Sequence, residues 1–162
     1  MLALTEMAER VGATLLAKGV MVATAESCTG GWVAQAATSV PGSSQWFERG
    51  FVTYTNVAKQ EMLGVKASTL AAYGAVSEPV VKEMVSGALR HSCAEVAVAV
   101  SGVAGPDGGT ADKPVGTVWL AWQLSGAEAV TRCVQFPGDR HQVREQAVLL
   151  ALQGLVVLVA ES

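Results

Sequence analysis

MVATAESCTGGWVAQAATSV, residues 21–40, reads as a short apolar strand, a sharp turn and an amphipathic helix. The strand is expected over 21–25 and the helix over 32–39. The turn between them, ESCTGG, holds two candidate nucleophiles, Ser27 and Cys28. A strand that runs straight into a helix is the repeating unit of α/β sheets. A side chain held at such a turn is expected to face the free N–H groups of the helix N-terminus, which stabilise developing negative charge.

The flanking sequence extends the same alternation. Upstream, Leu4, Met7, Val11 and Leu15 share one face of a first helix, and Gly19 stops it. Downstream come a loop at 41–44, a strand at 50–54 and a short helix at 57–63 that ends at Gly64. Another helix runs from Ser68 as its cap to Gly74, and Ser77-Glu78-Pro79 opens a longer one through Arg90. Residues 95–100 are an almost pure Val/Ala run, as in a strand buried on both faces. The glycine-rich loop SGVAGPDGGTADKP follows. Segments 116–124 and 129–136, joined around Ser125-Gly126, read as an antiparallel hairpin. Asp139 can cap a last helix running to about residue 160. The expected fold is α/β: a three-layer α/β/α sandwich with a mixed, mostly parallel sheet and a C-terminal antiparallel hairpin, one domain over 1–162.

Composition narrows the function. The 162 residues are 51% hydrophobic and 15% charged, which excludes disorder. The apolar surplus points to a homo-oligomer interface. A net charge of −3 without a Lys/Arg cluster argues against a nucleic-acid partner. Cys28, Cys93 and Cys133 form no CxxC pair, so neither a disulfide framework nor a zinc site is expected, and a reduced, cytoplasmic setting fits. The start MLALTEMAERVGATLLAKG lacks the basic-then-apolar pattern of a signal peptide. The most apolar run, AVLLALQGLVVLVA, has 14 residues with Gln153 and Gly154 inside, short for a membrane span. It reads as a buried or interface helix, and no membrane partner is expected. No His/Asp/Glu set has metal-ligand spacing, so no metal and no cofactor is expected.

Several residues carry chemistry, each with a plainer alternative. Ser27 is either a helix cap or a nucleophile; Glu26 precedes it, and Thr29-Gly30-Gly31 let backbone N–H groups approach a substrate. The turn is not the GxSxG elbow of α/β-hydrolases. Cys28 could act as a thiolate, but a cysteine nucleophile usually works with a histidine, and only His91 and His141 exist. A buried structural Cys28 is the plainer reading. Lys59 is a solvated surface lysine, or a base if burial lowers its pKa. Tyr54 is a half-buried strand aromatic, or a proton relay or hydrogen-bond partner for the serine; Asn56 lies between them. Tyrosine and lysine are five apart, not the four of short-chain reductases, and GxGxxG is absent. The loop from Ser101 to Gly109 falls at a carboxyl edge of the sheet, where ligands bind, and its N–H groups could cradle a phosphate. It could equally be structural. Asp107 could hold a ribose hydroxyl or make an Asx-turn.

Four segments also carry a family likeness: AESCTGG (25–31), GSSQWFERGFVTYTNVAK (42–59), GAVSEPVV (74–81) and SGVAGPDGGTADKPVGTVW (101–119). In order along nearly the whole chain, they resemble the CinA C-terminal domain family. The resemblance implies an α/β/α fold with a mixed sheet. For the stand-alone members it implies hydrolysis of the amide of nicotinamide mononucleotide to nicotinic acid mononucleotide and ammonia, a step of pyridine-nucleotide salvage. Longer members carry an extra N-terminal domain, and this chain is expected to start at the C-terminal module. The resemblance further implies Ser27 as nucleophile and Lys59 as general base, with Tyr54 alongside.

Chemistry and resemblance together give one expected mechanism. Neutral Lys59, through Tyr54 or directly, takes the Ser27 proton. Backbone N–H groups of Thr29, Gly30 and Gly31 hold the oxyanion, with Asn56 nearby. The ribose phosphate of a small nucleotide rests on the loop residues Ser101, Gly102, Gly105, Asp107, Gly108, Gly109 and Thr110. The competing class is a nucleotide- or partner-binding module without turnover, which would release no ammonia. A cysteine amidase using Cys28 is a third reading.

Overall fold

The computed structural model describes residues 2–162. Five strands, β1 (Val22–Glu26), β2 (Phe47–Val52), β3 (Val96–Gly102), β4 (Thr117–Leu124) and β5 (Val130–Gln135), form one sheet in the order β2-β1-β3-β4-β5. The β1 ladders to β2 and β3 are parallel; β3–β4 and β4–β5 are antiparallel. Only β4 therefore runs against the other four strands. Six α-helices flank the sheet: α1 (Leu2–Lys18), α2 (Trp32–Thr38), α3 (Asn56–Leu63), α4 (Ala67–Tyr73), α5 (Glu78–Arg90) and α6 (Arg140–Ala160). This is the expected three-layer sandwich.

The period-2 alternation of β3 sorts the two layers. Val96, Val98 and Val100 point into the core shared with α1, α2 and α6, where Val11, Leu15, Trp46, Val148 and Leu152 are buried. Ala97 and Ala99, with Ala23 and Ala25 of β1 and Ala121 of β4, face α5, alongside Val81, Met84 and Val85. Alanine on this face lets α5 lie close to the sheet. Each buried Val, Leu or Met contributes about 1.5–3 kcal/mol.

The approach is closest at Gly87, where an added Cβ would stand 2.0 Å from the Leu63 carbonyl oxygen at the end of α3. A backbone neighbour cannot swing aside. Gly87→Ala should cost about 1–3 kcal/mol of stability, read as a lower urea midpoint. It should also disturb the seat of α3, which carries Lys59.

Two boundaries, those of β2 and α4, differ from expectation, whereas α6 runs as expected from its Asp139 cap. Strand β2 begins at Phe47 and leaves the ladder at Val52, opposite Glu26, so Thr53 and Tyr54 lie beyond it. Helix α4 starts at Ala67 with Lys66 rather than Ser68 as its cap; Glu83 accepts from the Lys66 N–H and the Thr69 hydroxyl and fixes that end. Helix α6 is 21 residues long, and by length and composition it could cross a membrane. Its buried residues Val143, Ala147, Val148, Ala151, Leu152, Leu155 and Val159 follow helical spacing and pack into the core. Asp139 caps it in a reciprocal box with Gln142.

Candidate active site

Because β1, β2 and β3 are parallel neighbours, their carboxyl ends converge. Ser27 follows β1, Thr53 and Tyr54 follow β2, and Ser101 and Gly102 end β3. Ligands bind at such an edge. Ser27 is pinned from both sides: its N–H donates to Val100 O at 3.0 Å, and the Thr53 N–H donates to Glu26 O at 2.7 Å.

Lys59 reaches this point from α3. That helix is capped by Thr55, whose hydroxyl accepts from the Ala58 N–H, and closed by Gly64 in a left-handed conformation. The Lys59 side chain turns inward and is 1% exposed. Its Nζ lies 2.8 Å from Ser27 Oγ, 2.9 Å from Thr53 O and 3.3 Å from Tyr54 O. All three neighbours are neutral oxygens. Burial without a carboxylate partner therefore pushes the Lys59 pKa down from 10.5 to about 8. Neutral lysine has two N–H bonds and one lone pair. In the structure Nζ donates to Ser27 Oγ, whose own hydroxyl donates to Tyr54 O at 3.4 Å. In the neutral amine, with the two carbonyls taking the N–H bonds, the lone pair is left to accept from that hydroxyl. The early exit of β2 is what frees those carbonyls.

Cys28 is buried, and burial first, then the Glu26 charge, pushes its thiol up to about 12. A thiol held protonated is a poor nucleophile. The lysine contact belongs to Ser27.

The helix N-terminus behind the serine is not free, contrary to expectation. Glu26, fully buried, accepts from the Val33 N–H at 2.8 Å, the Ala34 N–H at 3.0 Å and the Thr29 hydroxyl at 2.6 Å. The Trp32 N–H donates to Thr29 O and the Gly30 N–H to Ser27 O. A carboxylate on a helix N-terminus complements the dipole. Glu26 thus consumes the Val33 and Ala34 donors at the α2 terminus, and it locks the strand-to-helix turn.

The pocket in front of Ser27 has a volume of about 200 Å³ and is lined by Ser27, Cys28, Tyr54, Asn56, Lys59, Ala75, Val76, Ser101, Gly102, Ala104 and Arg140. The structure thus brings Ser27, Lys59, Tyr54, Asn56, Ser101 and Gly102 together. Thr29, Gly30 and Gly31 do not line the pocket; they shape the turn behind it, with Gly30 and Gly31 both at positive φ. Asp107, Gly108, Gly109 and Thr110 also lie away from it. Thr110 closes a local turn with Lys113 instead. Tyr54 meets the pair through its carbonyl: the ring is 58% exposed, and its hydroxyl accepts from Arg140 Nη2 at 3.1 Å.

Arg140 is the pocket residue that sequence reasoning missed. Its Nη1 donates to Gly105 O at 2.8 Å, tying α6 to the glycine loop. Nearby, Arg144 donates to Cys28 O at 3.0 Å and Thr29 O at 3.2 Å and lies over the Trp32 ring, bracing the turn that carries Ser27. A signal was present: Arg140, His141 and Arg144 crowd the first turns of a helix, where positive charge opposes the dipole. Such a cluster needs partners outside its own helix. Among the described residues, no group of three His, Cys, Asp or Glu could hold a metal ion.

The chain is similar to known proteins along nearly its whole length. The CinA C-terminal domain family matches residues 4–159. A protein of Escherichia coli (strain K12), "Nicotinamide-nucleotide amidohydrolase PncC", is 58% identical over 152 residues, covering 94% of this chain and 92% of that one. A Pseudomonas putida protein of the same name is 54% identical, covering 98% of each. Among solved structures, the competence/damage inducible protein CihA from Agrobacterium tumefaciens superposes with a TM-score of 0.94 at 45% identity, covering 96% of this chain and 95% of that one. With the family pattern spanning nearly its whole length, this chain belongs to the CinA C-terminal domain family.

Proposed function

We propose that this chain hydrolyses the carboxamide of nicotinamide mononucleotide to nicotinic acid mononucleotide and ammonia, with Ser27 as nucleophile and neutral Lys59 as base. The observation that carries the reading is the buried 2.8 Å contact between Lys59 Nζ and Ser27 Oγ, opening on a pocket at the carboxyl edge of the sheet. Relatives at 54–58% identity over most of the chain, named for this activity, support the substrate.

The steps balance as follows. Ser27 Oγ bonds to the carboxamide carbon while its proton passes to Lys59 Nζ. The Ser101 hydroxyl and the Asn56 amide are pocket donors available to the carboxamide oxygen. As the C–N bond breaks, Lys59 returns the proton to the departing nitrogen and ammonia leaves. Lys59 then takes a proton from water as it attacks the ester, and Ser27 Oγ recovers a proton as the acid is released. The pyridinium ring withdraws electrons from the carboxamide, so a serine hydroxyl with a lysine base suffices.

The whole chain acts in this reading as one catalytic unit in the cytoplasm, where its three free cysteines stay reduced. We place a homo-oligomer contact at the apolar groove between β5 and α6, lined by Trp122, Val130 and Val157.

The test is product analysis with nicotinamide mononucleotide. Ammonia and nicotinic acid mononucleotide should appear in equal amounts. Free nicotinamide instead would mean cleavage of the glycosidic bond, and binding without ammonia would mean a sensor; either result overturns the proposal.

A further inference from the structure

The reaction pocket is too small for the whole substrate. Small-molecule sites commonly occupy roughly 300–1,000 Å³, and the pocket in front of Ser27 has about 200 Å³. A pyridine ring with its carboxamide fills such a space; a ribose phosphate must extend out of it. A second cavity, of about 640 Å³, shares Ala104 and Arg140 with the first and is otherwise lined by Gly105, Pro106, Val115, Gly138, Asp139 and His141.

We infer that this second cavity is the phosphate subsite, in which Arg140 and His141 hold the ribose 5-phosphate while the carboxamide lies against Ser27. The inference rests on the amidase reading and completes it. Arg140 stands where the two cavities meet, and its two structural bonds use only part of a five-donor guanidinium. His141 lines the same cavity, and its ring is held against Trp32, centroid to centroid 5.2 Å, so its position is set before substrate arrives. The single carboxylate on the lining, Asp139, is engaged in its cap, accepting from the Gln142 N–H at 2.9 Å. The next cation, Arg144, is committed to the nucleophile turn. Residues 107–110 line neither cavity, so the glycine loop contributes only its Ala104–Pro106 portion to the second one and the positive charge comes from α6.

The test compares the wild type with His141→Ala and His141→Gln; the side chain is exposed, so both should fold. Ammonia release is measured with ribose 5-phosphate and nicotinamide riboside as competitive inhibitors. For His141→Ala we expect KM for nicotinamide mononucleotide to rise about tenfold, with the loss falling on KM rather than kcat. Inhibition by ribose 5-phosphate should weaken about as much, and inhibition by the riboside should stay within twofold. His141→Gln, which keeps an N–H donor, should recover part of the loss. Equal weakening of both inhibitors, a loss confined to kcat, or no change overturns the subsite. Should the wild type release no ammonia, the amidase reading fails. The subsite then stands only if ribose 5-phosphate still raises the thermal midpoint of the wild type and not of His141→Ala.

Discussion

Ser27→Ala should reduce ammonia release from nicotinamide mononucleotide by roughly 10⁴- to 10⁶-fold, the scale seen when the attacking atom of a serine hydrolase is removed. Neither Cys28 nor Tyr54 is placed to take over. The Cys28 thiol is held protonated at neutral pH with its pKa near 12, and the Tyr54 hydroxyl points to Arg140. The residual rate would come from water activated directly by Lys59. Folding should survive, because Ser27 is held mainly through its backbone, by bonds to Val100 and between its neighbours Glu26 and Thr53. The lost side-chain contact costs about 1 kcal/mol, a drop of a few degrees in Tm. Full activity in Ser27→Ala would contradict the serine mechanism.

In the proposed mechanism, replacing Lys59 should be nearly as damaging. Lys59→Met and Lys59→Arg should each lower kcat by about 10²- to 10⁴-fold, the range for general-base catalysis. Methionine keeps the aliphatic volume and has no lone pair of comparable basicity. Arginine keeps the charge but cannot give up a proton in a protein, so a purely electrostatic role for Lys59 would be rescued by it and a base would not. Lys59→Ala is the poorer test of chemistry. It opens a cavity and leaves the Thr53 and Tyr54 carbonyls without their donor, a loss of about 2–5 kcal/mol.

The lysine shift also carries a sign for stability. The folded-state pKa is depressed, so between about pH 8 and 10.5 the unfolded chain holds more protons than the folded one. Lys59 therefore opposes folding most below about pH 8, and its contribution improves as pH rises across that window. The same desolvation leaves a larger fraction of the amine neutral near physiological pH, as the proposed base role requires.

What the sequence disclosed and what it hid have physical causes. The strand-turn-helix at 21–40 and the Val/Ala run of β3 depend on short-range pattern, and their layers follow from alternation. The meeting of Ser27 with Lys59, 32 positions apart, depends on strand order and was reachable through the family likeness rather than through spacing. Three features escaped because they are tertiary. Glu26 reads locally as one more polar turn residue, yet it fills the α2 terminus that looked ready for an oxyanion. The exit of β2 at Val52 cannot be seen in GFVTY, where β-branched and aromatic strand formers run on past it. Arg140 lies 86 positions from Tyr54 and joins the pocket only because α6 returns across the sheet edge.

The most direct measurement is the pH dependence of kcat/KM for ammonia release by the unmodified protein between about pH 7 and 9.5, a range above the second phosphate ionisation near 6. This ratio reports ionisations of the free enzyme. With neutral Lys59 as base, it should climb toward tenfold per pH unit on the acid side, bend near pH 8 and stay level above. A flat profile, or a rate that falls as pH passes 8, would contradict a neutral lysine acting on Ser27.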